Sequence, residues 1–147
     1  MKTLTLLFFL LTTTPFLAGP PTPTETVSVG YSFLGKKVKT GKCSDFVVKV
    51  VSEVKDEKYK TTEENLYGKY LIEKDRVAVK PGDVVRFKNY KCGEWSFPKH
   101  IAIVSKITPE GIFILHQNID GSPVIETLLC EEEPTGTITF YSILGVK

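Results

Sequence analysis

The stretch that most constrains the fold runs from residue 100 to residue 121, where two apolar, β-branched runs flank a turn sequence. The turn reads Thr-Pro-Glu-Gly at 108–111, in which proline presets φ at the second position and glycine is free to adopt a positive φ. Apolar runs on both sides of such a turn predict a β-hairpin. We therefore expect an antiparallel sheet that contains this hairpin.

The register of the hairpin decides which side chains meet across it. A type I turn followed by a glycine bulge would pair Ala102 with Asn118 and Val104 with His116. Because side chains alternate along a strand, His100, His116 and Asn118 would then share one face of the sheet. A shift of one residue would separate them, so the polar cluster is a prediction that depends on this register.

A helix is predicted to begin near residue 43, where apolar residues start to recur at helical spacing. Its apolar face comprises Phe46, Val47, Val50, Val51 and Val54. Valine is a mediocre helix former, so a strand is the rival interpretation, but the spacing favours a helix. Ser44 or Asp45 would stabilise the helix start, which puts Cys43 at the amino end. About five strands follow, and this order predicts an α+β fold with an antiparallel sheet.

Length and composition predict one secreted domain. The chain has 147 residues, which suits a single hydrophobic core. Residues 1–19 are predicted to be a signal peptide, because a basic start precedes an apolar run at 4–11 that is too short to span a bilayer. The cleavage site is poorly defined, so an uncleaved anchor is the alternative. Residues 20–29 are expected to form an extended Pro/Thr linker, and residues 30–147 the folded domain.

The charge balance narrows the choice of partners. The formal net charge is only +2, from 19 basic and 17 acidic residues. Nucleic-acid binders and proteins of anionic membranes usually carry a clear basic excess, so neither partner is expected. We also expect no contact with the membrane once the signal peptide is removed.

Three cysteines in an exported chain leave one free thiol after a single disulfide forms. Pairing of Cys92 with Cys130 would leave Cys43 free, although the sequence does not fix the connectivity and other pairings stay open. A free thiol at a helix amino terminus, with histidine supplied by a sheet, is the minimum for thiol catalysis. The helix dipole and an adjacent imidazolium would both lower the pKa of the thiol.

The same residues also permit interpretations that involve no catalysis. A buried cysteine usually behaves as a small hydrophobe. Zinc binding by Cys43, His100 and His116 is the other possibility, but the chain lacks a close-spaced pair of ligands, so no metal or cofactor is predicted. In the catalytic interpretation, His100 is the base and Asn118 is the favoured group to orient it, with His116 behind Asn118.

Four motifs in a fixed order resemble the CHAP and NlpC/P60 papain-like superfamily. They are a glycine-x-cysteine at 41–43, Pro-Gly-Asp and a strand at 81–87, His-Ile-Ala-Ile-Val at 100–104, and His-Gln-Asn at 116–118. Together with the segment at 34–45, they are most similar to a eukaryotic branch. That branch is the cysteine-proteinase-fold domain of fungal actin-patch, myosin-interacting proteins and of some plant hydroxyproline-rich glycoproteins. The resemblance covers about residues 30–144.

The resemblance implies a papain-like fold with Cys43 as nucleophile, His100 as base and Asn118 or His116 as the third member. It also implies a secreted thiol hydrolase, expected to be a monomer, that cleaves amide bonds in a peptide or in peptidoglycan as an amidase or endopeptidase. Two departures weaken the carry-over, because bacterial relatives usually have glutamate in place of His116 and often an aromatic residue in place of Ser44. The alternative is a catalytically silent domain of the same fold that serves as an extracellular binding module.

Overall fold

The computed structural model describes residues 23–56, 61–117 and 121–145, and these form an α+β fold as predicted. The helices and strands, in chain order, are α1 Pro23–Tyr31, α2 Cys43–Val54, α3 Glu63–Leu66, β1 Leu71–Lys74, β2 Val84–Cys92, β3 Trp95–Thr108, β4 Gly111–His116, β5 Ile125–Leu128 and β6 Thr135–Ile143. A 3-10 turn at Arg76–Ala78 lies between β1 and β2. The predicted signal peptide at 1–19 lies outside the described residues.

The strands form one antiparallel sheet in the order β1-β6-β2-β3-β4-β5. The described sheet has six strands, so the prediction of about five was low by one. The additional strand is β1, a short edge strand that pairs with β6. Residues 90–99 contribute the end of β2 and the start of β3, which pair up to Cys92 and Trp95.

Helix α2 confirms the helical interpretation of the valine-rich segment. Phe46, Val47, Val50 and Val51 are fully buried in the core between the helix and the sheet. The helix begins at Cys43, after Lys42 in an extended conformation, and no side chain caps it. The carboxylate of Asp45 instead accepts hydrogen bonds from the backbone N–H and the hydroxyl of Thr40, which fixes the loop that leads into the helix.

The segment before the predicted domain is helical rather than extended. Helix α1 occupies most of the predicted 20–29 linker, and its proline at the first position suits a helix start because no N–H is needed there. Thr26 and Gly30 are buried, and a Cβ at Gly30 would lie 3.0 Å from a methyl group of Leu115. The folded unit therefore extends back at least to Pro23.

The predicted Thr-Pro-Glu-Gly hairpin is present, but its register differs from the predicted one. Thr108 pairs with Gly111, so the loop has two residues rather than a turn with a glycine bulge. A second irregularity at Ser105 shifts the pairing once more, and Val104 pairs with Ile114 instead of His116. The two shifts add up to two residues, which preserves the alternation of faces.

A second apolar cluster covers the face of the sheet that lies away from α2. The Cys92–Cys130 disulfide packs beside it with its Cα atoms 5.9 Å apart, which confirms the favoured pairing and leaves Cys43 as the free thiol. The hydroxyl of Tyr90 donates to the carbonyl oxygen of Cys130. Among the described residues, no helix combines the length and the apolar character needed to cross a membrane.

Candidate functional site

The candidate nucleophile and the candidate base line one cleft. Cys43 is the first residue of α2, and His100 lies on β3 where its pairing with β4 has ended. The cleft has a volume of about 70 Å³ and is lined by Cys43, Ser44, Glu63, Tyr67, Arg86, Lys99, His100 and Ile101. Helix α2 thus presents its amino end to the strand that carries the histidine.

The two histidines of the chain form a direct hydrogen bond. His100 Nε2 lies 3.0 Å from His116 Nδ1, and His116 Nε2 lies 3.0 Å from the hydroxyl oxygen of Thr127 on β5. If His100 donates at Nε2, His116 accepts at Nδ1 and donates from Nε2 to Thr127. In this direction of donation, Nδ1 of His100 carries a free lone pair, as a general base requires.

The register explains why His116, and not Asn118, contacts His100. Extending the pairing of Ile103 with Leu115 by one residue places His116 opposite Ala102, diagonal to His100 and within side-chain reach. This is the position that the predicted register gave to Asn118. Asn118 itself lies outside the described residues, so its predicted role and the choice between it and His116 stay predictions; the structure shows that His116 contacts His100 directly.

His100 is held in a nearly solvent-free aromatic environment. Its ring stacks on Phe97 with centroids 4.2 Å apart, and the ring of Phe87 lies 5.7 Å away. Only 2% of the residue is exposed, and its Nδ1 is buried without a hydrogen-bond partner among the described residues. A buried nitrogen without a partner carries a desolvation cost, which identifies Nδ1 as a site where a proton or a ligand can be bound.

Burial keeps both histidines neutral. Desolvation, with a smaller contribution from the neighbouring His116, lowers the pKa of His100 to about 3. Desolvation lowers the pKa of His116 to about 4. The imidazolium form is disfavoured because the aromatic surroundings replace water.

Burial also raises the pKa of the Cys43 thiol, although a lowered pKa was predicted from its position at a helix start. The backbone N–H groups of Ile101 and Ser44 favour the thiolate, but desolvation outweighs them and the nearby Glu63 carboxylate opposes the anion as well. The neutral histidine adds no positive charge. The resting pair is therefore a neutral thiol and a neutral imidazole rather than an ion pair.

Two further polar residues in the site were not assigned a role from the sequence. Gln117 is fully buried and bridges the segment before α2: its Nε2 donates to the carbonyl oxygens of Val38 and Lys42, and its Oε1 accepts from the N–H of Val38. Thr127 is the second. Gln117 could have been identified from the sequence, because it belongs to the His-Gln-Asn motif. Thr127 could be identified only from the structure, where its pairing with Ile114 is known.

Within the described ranges, no three His, Cys, Asp or Glu side chains converge in a way that could hold a metal ion. The fold and the site together define an α+β protein in which Cys43 and His100 line one cleft and His116 contacts His100. No model of a known protein family matches the chain, and no curated protein matches its sequence.

Proposed function

We propose that the protein is an exported thiol hydrolase of the papain-like type that cleaves amide bonds in peptides or in peptidoglycan. The observation that carries the proposal is that one cleft is lined by Cys43, at the start of α2, and by a buried His100 whose Nδ1 has no partner among the described residues. A thiol and an imidazole nitrogen with a free lone pair are the two groups that thiol catalysis needs.

The architecture and the disulfide support the finer parts of the proposal. A helix that begins with the cysteine, followed by an antiparallel sheet that carries the histidine, is the arrangement that the CHAP and NlpC/P60 resemblance implies. Export is supported by the Cys92–Cys130 disulfide together with the predicted signal peptide, because disulfides persist in oxidising compartments.

Acylation would begin from the neutral pair. The Cys43 sulfur attacks the carbonyl carbon of the amide while the thiol proton passes to Nδ1 of His100. His116 accepts the hydrogen bond from Nε2 of His100 and fixes the ring, as the third member of a triad does. His100 then transfers its proton to the amine nitrogen, the carbon–nitrogen bond breaks, and the acyl group remains on sulfur as a thioester.

Deacylation uses the same base in reverse. His100 takes a proton from water at Nδ1, and the hydroxide adds to the thioester carbon. The carbon–sulfur bond then breaks, the acid product leaves, and the Cys43 sulfur regains its proton from His100. Backbone N–H groups at the start of α2 are the candidates for stabilising the oxyanion of both tetrahedral intermediates.

The raised pKa of the Cys43 thiol favours a second candidate, a catalytically silent domain of this fold that binds peptides outside the cell. Active thiol enzymes commonly lower this pKa, and here burial and Glu63 raise it. The two candidates differ in one measurable respect, because only the hydrolase forms a covalent bond between Cys43 and its ligand.

The test is turnover of the full chain on purified bacterial cell wall and on a mixture of synthetic peptides, read by mass spectrometry of the products. We expect new amine termini with the unmodified protein and none with Cys43→Ala or His100→Gln, whereas Lys49→Gln on the outer side of α2 should retain turnover. Thioester-linked Cys43 should be detectable after a rapid acid quench. Absence of cleavage by the unmodified protein, or equal cleavage by Cys43→Ala, would establish the silent-domain alternative.

A further inference from the structure

The cleft contains one half-buried cation, Arg86, that has no ion-pair partner in the described structure. Arg86 lies on β2, half-buried, and pairs with Ile101 on β3 and with Thr139 on β6. Its guanidinium carbon lies 4.6 Å from the centre of the Tyr67 ring. The guanidinium therefore lies over the face of the ring, and no hydrogen bond to the described residues occupies its N–H groups.

Three other cations on or near the sheet have a carboxylate partner, whereas the unpaired lysines of β2 and β3 are exposed to solvent. Lys74 contacts Asp83 at 2.7 Å and Lys106 contacts Glu126 at 3.1 Å. Arg76 contacts Glu131 as well. In the described parts of the chain, the guanidinium of Arg86 makes neither a hydrogen bond nor an ion pair, although the residue is half-buried in the wall of a cleft. A partly desolvated guanidinium without an anion is unfavourable, and an anionic ligand would supply the missing partner.

We propose that Arg86 is a carboxylate-binding residue of this cleft, and that the ligand class is a peptide with a carboxylate one or two residues from the amide that faces Cys43. A planar guanidinium held against an aromatic ring matches the two oxygens of a carboxylate. The part of the proposal that concerns a scissile amide rests on the proposed function, whereas the binding of a carboxylate does not.

The separation between the carboxylate and the amide that faces Cys43 follows from the pairing of strands in the sheet. Arg86 is the direct partner of Ile101, whose backbone N–H points to the Cys43 sulfur. Residues paired across an antiparallel sheet have Cα atoms about 4.5–5.5 Å apart, so a carboxylate at Arg86 and an amide at Cys43 lie within one or two residues of a peptide.

The mixed charge of the rim favours a peptide carboxylate over a polyanion. Lys99 and Glu63 line the same cleft as Arg86, so the rim carries two positive charges and one negative charge. A nucleic acid or a highly phosphorylated ligand would meet the Glu63 carboxylate and gain little from the remaining surface. A single carboxylate fits the one guanidinium that stacking holds in place.

The experiment compares two sets of N-acetylated hexapeptides that differ only by glutamate or glutamine at each position in turn. Binding to the full chain with Cys43→Ala is measured by calorimetry, and cleavage by the unmodified chain is measured separately. We expect glutamate peptides to bind about tenfold or more tightly than their glutamine counterparts at one position. Arg86→Gln should abolish this preference and Arg86→Lys should retain part of it. Lys88→Gln, on the same strand but outside the cleft, should leave it intact.

The two readouts separate this inference from the proposed function. Preferential binding of glutamate peptides through Arg86 without any cleavage would support the inference and contradict the hydrolase. Cleavage without a difference between glutamate and glutamine peptides would overturn the inference and leave the hydrolase standing. No measurable binding of any peptide, or a preference that survives Arg86→Gln in a variant with an unchanged near-ultraviolet spectrum, would also overturn it.

Discussion

Gln117 connects the two halves of the candidate site, and replacing it by methionine should weaken both the fold and the position of Cys43. The residue follows His116 directly, and its amide bonds the carbonyl oxygen of Lys42, the residue before Cys43, at 2.9 Å. It also bonds Val38 twice, at 2.6 Å to the N–H and at 3.0 Å to the carbonyl oxygen. Methionine has a similar length but replaces neither the donors nor the acceptor.

The size of the effect follows from the groups that lose their partner. Val38 is buried, so its N–H would be left unsatisfied at a cost of about 1–3 kcal/mol, whereas its carbonyl oxygen still accepts from the N–H of Gly41. Lys42 is exposed, and water can replace the amide at its carbonyl, so that bond should contribute little. The free energy of unfolding should therefore fall by about 2 kcal/mol. That loss is a large fraction of the 5–15 kcal/mol typical of a domain.

The assay is urea unfolding followed by the fluorescence of Trp95, the only tryptophan in the chain. In parallel, the rate at which iodoacetamide modifies Cys43 should rise in Gln117→Met, because the loop before α2 loses its attachment. Lys42→Ala is the matched control, since it keeps the carbonyl that Gln117 bonds and should change stability by less than about 0.5 kcal/mol. If Gln117→Met unfolds at the same urea concentration as the unmodified protein, the bridge does not stabilise the site and this reasoning fails.

Two further predictions concern the disulfide and the histidine pair. Replacing both Cys92 and Cys130 by alanine removes a cross-link over a sequence separation of 38 residues, and the free energy of unfolding should fall by about 4 kcal/mol in urea; an unchanged unfolding midpoint would contradict this. His100 and His116 have folded-state pKa values of about 3 and about 4, below the unfolded value of 6.5, so the unfolded chain binds more protons in this interval. Stability should therefore fall as the pH drops from about 6.5 towards 4, by up to about 2.7 kcal/mol per pH unit for two protons. In His116→Gln the slope should decrease by about half, and an identical slope in the variant would show that the pair is not responsible.

The sequence predicted those features that depend on local pattern. Helix α2 follows from apolar residues at helical spacing, and the hairpin follows from Thr-Pro-Glu-Gly between apolar runs. The Cys92–Cys130 pairing was favoured among open alternatives and is present. The joint position of Cys43 and His100 in one cleft is consistent with the expectation from the motifs, because the helix start and the strand are both fixed by local signals.

The features that the sequence did not predict depend on tertiary contacts. Helix α1 has no strong amphipathic pattern and is held by burial of Thr26 and Gly30, which appear only once the chain is folded. Strand β1 has four residues and forms by pairing with β6. The irregularity at Ser105 accompanies a hydrogen bond of 2.6 Å from its hydroxyl to Glu126 on β5, a contact between strands that are not neighbours in the sheet.

The same distinction applies to the chemistry of the site. Residue type and position in the chain identify Cys43 as a candidate nucleophile, but its protonation depends on how much water the folded cleft admits. A position at a helix start lowers the pKa of a thiol, but burial can raise that pKa by a larger amount. The neutral His100 supplies no positive charge to offset the effect of burial. In the proposed hydrolase, the proton must therefore leave sulfur during the attack on the substrate rather than before it. The rate of Cys43 alkylation by iodoacetamide should consequently keep rising with pH beyond about 8.5, the ordinary pKa of a thiol. If the alkylation rate reaches a plateau below that pH, Cys43 is a preformed thiolate. The site would then contain the thiolate–imidazolium ion pair that the sequence alone suggests.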